Sequence, residues 1–97
     1  MAAIEVTRQA RGELYALIET RELPDDTRGR VSRSLLTLEK FPRSGKQLSG
    51  VWRDCRAVIG PWGWLIIVYM YLESGGDRVV VVAFNDARTS DAATARY

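Results

Sequence analysis

The stretch Leu65-Ile66-Ile67-Val68-Tyr69-Met70-Tyr71-Leu72, then Glu73-Ser74-Gly75-Gly76-Asp77, then Val79-Val80-Val81-Val82-Ala83-Phe84 decides the fold. Its two apolar runs are crowded with β-branched and aromatic side chains, which suit a pleated sheet better than a helix. The polar segment between them holds two adjacent glycines, able to take the positive φ of a tight turn. The stretch therefore reads as an antiparallel hairpin with strands near 65–72 and 78–84. Neither run alternates cleanly, so both sheet faces should be at least partly covered. One face can be covered by helices and part of the other by a protein partner.

Upstream of the hairpin, Trp52 to Ile59 reads as a further strand ending at Gly60-Pro61, giving a strand near 52–59. Pro42, Ser44, Gly45, Ser49 and Gly50 mark 42–50 as a loop. Before it, the apolar period changes. Val31, Leu35 and Leu38 recur at helical spacing, predicting a helix near 26–40 that stops ahead of Pro42. Asp25 and Asp26 lie at its start, where carboxylates suit the helix dipole. Ala10, Leu14, Leu17 and Ile18 form the stripe of an earlier helix near 8–22, with Thr7 as its cap. Ile4 and Val6 suggest a short first strand, and Ser90 a cap for a short last helix. The expected fold class is α+β, with two N-terminal helices packed on a small antiparallel sheet. The whole chain, 1–97, reads as one domain.

Composition narrows the chemistry. The 97 residues contain no histidine and one cysteine, Cys55. That removes histidine-dependent nucleophilic triads, histidine metal sites, thiolate clusters and internal disulfides. No Gly-rich phosphate loop is present, and no cofactor is expected. The longest apolar run, 62–72, is too short to span a membrane. The N-terminus is too polar for a signal peptide, so a cytoplasmic protein without membrane contact is expected.

Charge is unevenly placed. Between Arg28 and Arg56 lie eight cations and two acids, a formal +6, whereas the remainder carries six cations and ten acids, a formal −4. Twelve of the fourteen cations are arginines, whose rigid fork matches phosphate oxygens. A polyanion such as nucleic acid is one partner to consider; a solvated charged face is the plain alternative. Arg43, Lys46 and Arg53, with the nearby Trp62 and Trp64, are the candidate RNA-binding residues. The tryptophans can stack on bases or cover a sheet edge. Arg53 and Arg56 are three apart on the expected strand, so they point to opposite faces unless a bulge intervenes.

The order of helix, helix, basic loop and hairpin resembles the RelE/ParE superfamily of toxins from bacterial toxin–antitoxin pairs. The resemblance is carried by Leu38, Pro42, Gly45, Leu48 and Gly50, then Arg56-Ala57-Val58-Ile59-Gly60. It continues in Leu65-Ile66-Ile67-Val68-Tyr69 and Val81-Val82-Ala83-Phe84 before Arg88. Taken together these cover nearly the whole chain. The resemblance implies a toxin neutralised by a cognate antitoxin protein. In a RelE-like branch it implies metal-independent cleavage of mRNA, often on the ribosome, with catalytic positions falling on Arg53, Arg56 and Arg88 and help from Lys46. In a ParE-like branch it implies inhibition of DNA gyrase by protein binding.

One departure is plain: Ile66 stands where nuclease relatives carry an arginine. Tyr97 is the only tyrosine beyond Arg88. Lys46, Asp54 and Tyr69 are the nearest nominees for a general base. Four readings stay open at this point: a RelE-like endoribonuclease, a ParE-like gyrase inhibitor, an inactive relative, and an unrelated nucleic-acid-binding module.

Overall fold

The computed structural model describes residues 2–88. The Ser90 cap expected from the sequence and Tyr97 lie outside them. Seven elements follow in chain order: β1 (Ala3–Val6), α1 (Arg8–Thr20), α2 (Thr27–Lys40), β2 (Lys46–Gln47), β3 (Arg56–Ile59), β4 (Leu65–Leu72) and β5 (Arg78–Asp86). The strands form one sheet in the order β1-β5-β4-β3-β2. The α+β class, the two N-terminal helices and the antiparallel hairpin are as expected.

Each helix begins and ends for local reasons. The Thr7 hydroxyl accepts from the Ala10 amide at 3.1 Å and caps α1. Asp26 precedes α2 without capping it through its side chain. Its carboxylate instead accepts from Arg30 Nε at 2.9 Å, one turn on, and this bond holds its pKa below the usual range. The last turn of α2 ends with the Phe41 amide on the Thr37 carbonyl, and Pro42 cannot continue it. Ala10 on α1 and Val31, Leu35 and Leu38 on α2 are buried against Leu65, Ile67, Tyr69, Val79, Val81 and Phe84 of the hairpin.

Three features differ from the sequence expectation. First, β1 pairs in parallel with β5, Ala3 to Arg78 through Val6 to Val81, so the sheet is antiparallel except at that edge. Four residues carry too little pattern to reveal a parallel partner lying beyond two helices. Second, the strand expected at 52–59 starts only at Arg56. Gly50–Trp52 forms a 3-10 turn, made possible by the positive φ of Gly50, and the Cys55 amide closes on the Trp52 carbonyl at 2.8 Å. Third, the expected 42–50 loop contains β2, whose two residues pair with Arg56 and Ala57.

The poor alternation of β5 has a structural cause. Val68 pairs with Ala83 but Tyr69 with Val81, which leaves Val82 as the extra residue of a β-bulge. Beyond the bulge the side-chain phase flips: Val79, Val81 and Phe84 enter the helix-side core, while Ala83 enters a second cluster. That second cluster holds Leu48, Cys55, Ala57, Ile66 and Val68, with Trp52 packed against it. The chain therefore covers part of the second sheet face itself, using the segment between β2 and β3. Gly75 and Gly76 take φ of 75° and 103° in the hairpin turn, as the turn requires.

Candidate functional site

The site grows from the junction of α2 and β2. Tyr69 is fully buried on the helix side of β4, and its hydroxyl donates to the Pro42 carbonyl at 2.7 Å. The same oxygen accepts from the Gly45 amide at 2.9 Å. Directly across the ladder from Tyr69 is Arg56 on β3. Its Nη1 donates to the Gly45 carbonyl at 2.9 Å and more weakly to the Arg43 carbonyl at 3.3 Å. Two side chains from rigid strands thus fasten the basic loop, and Gly45 has to be a glycine for it. A Cβ there would lie 2.6 Å from the Tyr69 hydroxyl and 3.0 Å from the Ala57 carbonyl.

Over this fastening lies a polar basin of about 260 Å³, lined by Arg43, Gln47, Arg53, Asp54, Arg56, Tyr71 and Glu73, with Cys55 at its wall. Arg53 and Arg56 share it. The turn between Trp52 and Cys55 breaks the strand between them, so the opposite-face argument does not apply. Arg43 ion-pairs with Glu73, and its guanidinium lies 5.4 Å above the Tyr71 ring. Lys46 is exposed on β2, the strand paired with Arg56 and Ala57. Burial raises the Cys55 thiol above its usual pKa, which keeps it protonated and unreactive.

Titration separates the proton-transfer nominees. Burial raises the Tyr69 phenol, only partly countered by its hydrogen bond from Gly45 and by Arg56. With its oxygen engaged twice, Tyr69 is a brace and not a base. Tyr71 is also raised, first by burial and then by Asp77. Asp54 and Glu73 are the carboxylates that line the basin. Glu73 had no sequence signal of its own, since it read as the first residue of a turn.

Arg88 lies elsewhere. The buried Asp86 carboxylate accepts from two of its nitrogens, Nε and Nη2, at 2.9 Å each, and pairs with Arg21 at 3.0 Å. The hydrogen bonds from Arg88 hold Asp86 down at about 2 despite burial. The Arg88 guanidinium also covers Trp64 at 4.6 Å, and Trp64 stacks on Trp62 at 5.7 Å with an interplanar angle of 9°. Arg30 approaches the Trp62 ring at 5.9 Å. The tryptophans thus stack on each other under arginines and pack against the helix-side core. Asp86 pairs with Leu65 and Arg56 with Tyr69, four residues apart on β4, or about 13 Å. The structure brings Arg43, Arg53 and Arg56 together and keeps Arg88, Trp62 and Trp64 at the other end of the sheet. Ile66 is buried in the second cluster, on the face away from Arg56 and Tyr69.

Among the described residues, no group of three His, Cys, Asp or Glu side chains could hold a metal ion. Nor is any helix among them long and apolar enough to cross a membrane.

Comparison of the fold with solved structures decides its class. The chain superposes on a YoeB/ParE toxin from Agrobacterium tumefaciens with a TM-score of 0.67, at 12% identity, covering 87% of this chain and 96% of that one. It also superposes on a copper-bound mutant toxin from Helicobacter pylori with a TM-score of 0.60, at 14% identity, covering 91% and 97%. The fold is RelE/ParE-like. No family model matches the chain, and no curated protein matches it in sequence. The chain shares that fold with those structures at 12% and 14% identity, and the basin lies at the junction of its second helix and its sheet.

Proposed function

We propose that the chain is the toxin of a toxin–antitoxin pair and that it acts on RNA through the Arg43–Arg53–Arg56 basin. The observation that carries this reading is that Arg43, Arg53 and Arg56 line one concave surface on a RelE/ParE-like fold. Arg56 is fixed by neutral carbonyl acceptors, which orient it without cancelling its charge. Donors set in place before reaction are what charge stabilisation requires.

In the cleavage this basin suits, the ribose 2′-oxygen attacks the adjacent phosphorus and the bond to the 5′-oxygen breaks. Arg53 and Arg56 stabilise charge on the phosphoryl oxygens. Asp54 or Glu73 takes the 2′-hydroxyl proton, the departing 5′-oxygen takes a proton from water, and Lys46 adds attraction for the backbone. No step calls on a metal. The partner is a cognate antitoxin, with mRNA or the ribosome as target. A cytoplasmic location follows from that target.

A second reading rests on a specific observation. Ile66 is buried on the far face and Arg88 is held by Asp86, so two of the cations expected of a nuclease are not at the basin. That favours action by protein binding, with DNA gyrase as the target, or an inactive relative. Purified protein should be assayed on mRNA with and without ribosomes, and on gyrase supercoiling. Cleavage that falls roughly 10²-fold in Arg56→Ala, with Lys40→Ala altering only salt-dependent binding, supports the nuclease reading. Inhibited supercoiling by folded protein that cleaves no RNA would replace it with the gyrase reading.

A further inference from the structure

Beside the polar basin lies a second, apolar cleft of about 420 Å³, walled by Phe41, Pro42, Arg43, Ser44 and Tyr71. That volume falls within the range of small-molecule sites, roughly 300–1,000 Å³. Phe41 is 61% exposed, although its ring terminates a helix whose other large apolar side chains on the core side are buried. The cleft and the basin share Arg43 and Tyr71. One surface therefore passes from an aromatic, apolar hollow to a cluster of guanidinium groups. A nucleotide has that pattern: a flat base, then an anionic phosphate.

We propose that this cleft is a nucleobase subsite, in which Phe41 stacks on one base of a single-stranded RNA whose adjoining phosphate lies in the basin. The proposal rests on the RNA-directed reading above and adds to it a residue that selects for a base. Phe41 and Arg43 are two residues apart, at most about 7 Å along the chain, which matches the reach from base to phosphate within a nucleotide. Their wall is rigid, because Tyr69 bonds the Pro42 carbonyl and Arg56 the Arg43 carbonyl from beneath. A stacking platform held in place loses little conformational freedom on binding. Base–aromatic stacking tolerates any base, so the subsite selects for an unstacked base over a bare backbone.

The test uses the full chain and two labelled, non-cleavable 2′-O-methyl oligonucleotides, one of them abasic at a single central position. Phe41→Ala should weaken binding of the intact oligonucleotide about tenfold and leave the abasic one unchanged, while Phe41→Trp restores binding. The exposure of Phe41 makes the folded state insensitive to either change, and a thermal melt checks it. Equal affinity of wild type and Phe41→Ala for the intact oligonucleotide overturns the subsite alone. Weak binding of both oligonucleotides by wild type, without salt dependence, overturns the RNA reading and the subsite together. Loss of binding to the cognate antitoxin by Phe41→Ala, with both oligonucleotides still bound alike, would overturn it in favour of a protein contact.

Discussion

Two carboxylates, each held by arginine, mark opposite ends of the sheet. Asp86 is buried, and Arg21 and Arg88 close over it. Glu73 is exposed, and its partner Arg43 is exposed as well. At the Asp86 end the charges are spent on structure: a desolvated carboxylate must keep its cations, and those cations are thereby unavailable to a ligand. At the Glu73 end the pair lies in solvent, where such a bridge contributes little, so Arg43 can exchange its partner for a phosphate. The arginine count alone does not separate these ends. What separates them is whether the acceptor is buried.

The largest expected effect tests the fastening beneath the basin. Gly45→Ala drives a Cβ into the buried Tyr69 ring and the Ala57 carbonyl, neither of which can withdraw easily. It should destabilise the fold by about 2–3 kcal/mol, read by urea denaturation. Gly63→Ala, with open space around it, is the control. An unchanged midpoint for Gly45→Ala would mean that the loop is not braced against Tyr69.

The other end should be the pH-sensitive one. The folded Asp86 carboxyl titrates at about 2, below the 3.8 of the free group. Its stabilisation is therefore complete above about pH 4 and is lost as pH falls through about 2. Asp86→Asn should cost about 2 kcal/mol at neutral pH. It should also flatten the stability profile between those limits. RNA binding should survive in whatever fraction remains folded. A parallel loss of RNA binding in the folded variant would erase the distinction between the two ends.

How far these ends were legible in the sequence depends on how local their causes are. The hairpin and both helices follow from periodicity and from Thr7, Pro42, Gly75 and Gly76, all of which act within a few residues. The strand expected at 52–59 is shorter in the structure, because Trp52-Arg53-Asp54-Cys55 has strand-like neighbours but its conformation is set by Gly50. The bulge at Val82 adds a residue that no alternation rule anticipates. Arg53 and Arg56 were named from the basic segment and the family resemblance. Their convergence depends on the turn between them, and Glu73 and Tyr71 join only through the hairpin's pairing. Arg88 was placed by the family resemblance, and its capture by the buried Asp86 depends on burial that the sequence does not report. Arg21, which pairs with Asp86, and Trp64, which lies under Arg88, come from other segments of the chain, a proximity that residue spacing does not report.

The smallest effect on stability is the sharpest test of the comparison. Glu73→Gln removes the exposed carboxylate and frees Arg43. Because both side chains are more than half exposed, stability should change by less than about 0.5 kcal/mol. Removing a negative charge from the basin's wall should tighten binding of a single-stranded RNA several-fold at low salt. The gain should shrink toward physiological ionic strength as screening takes over. Cleavage then divides the two proton acceptors. A roughly 10²-fold fall in the cleavage rate of the tighter-binding variant assigns the 2′-hydroxyl proton to Glu73, whereas an unchanged rate assigns it to Asp54. Should Glu73→Gln destabilise the protein as much as Asp86→Asn, the two carboxylates would be doing the same structural task. The basin's cations would then be no freer than those at the far end.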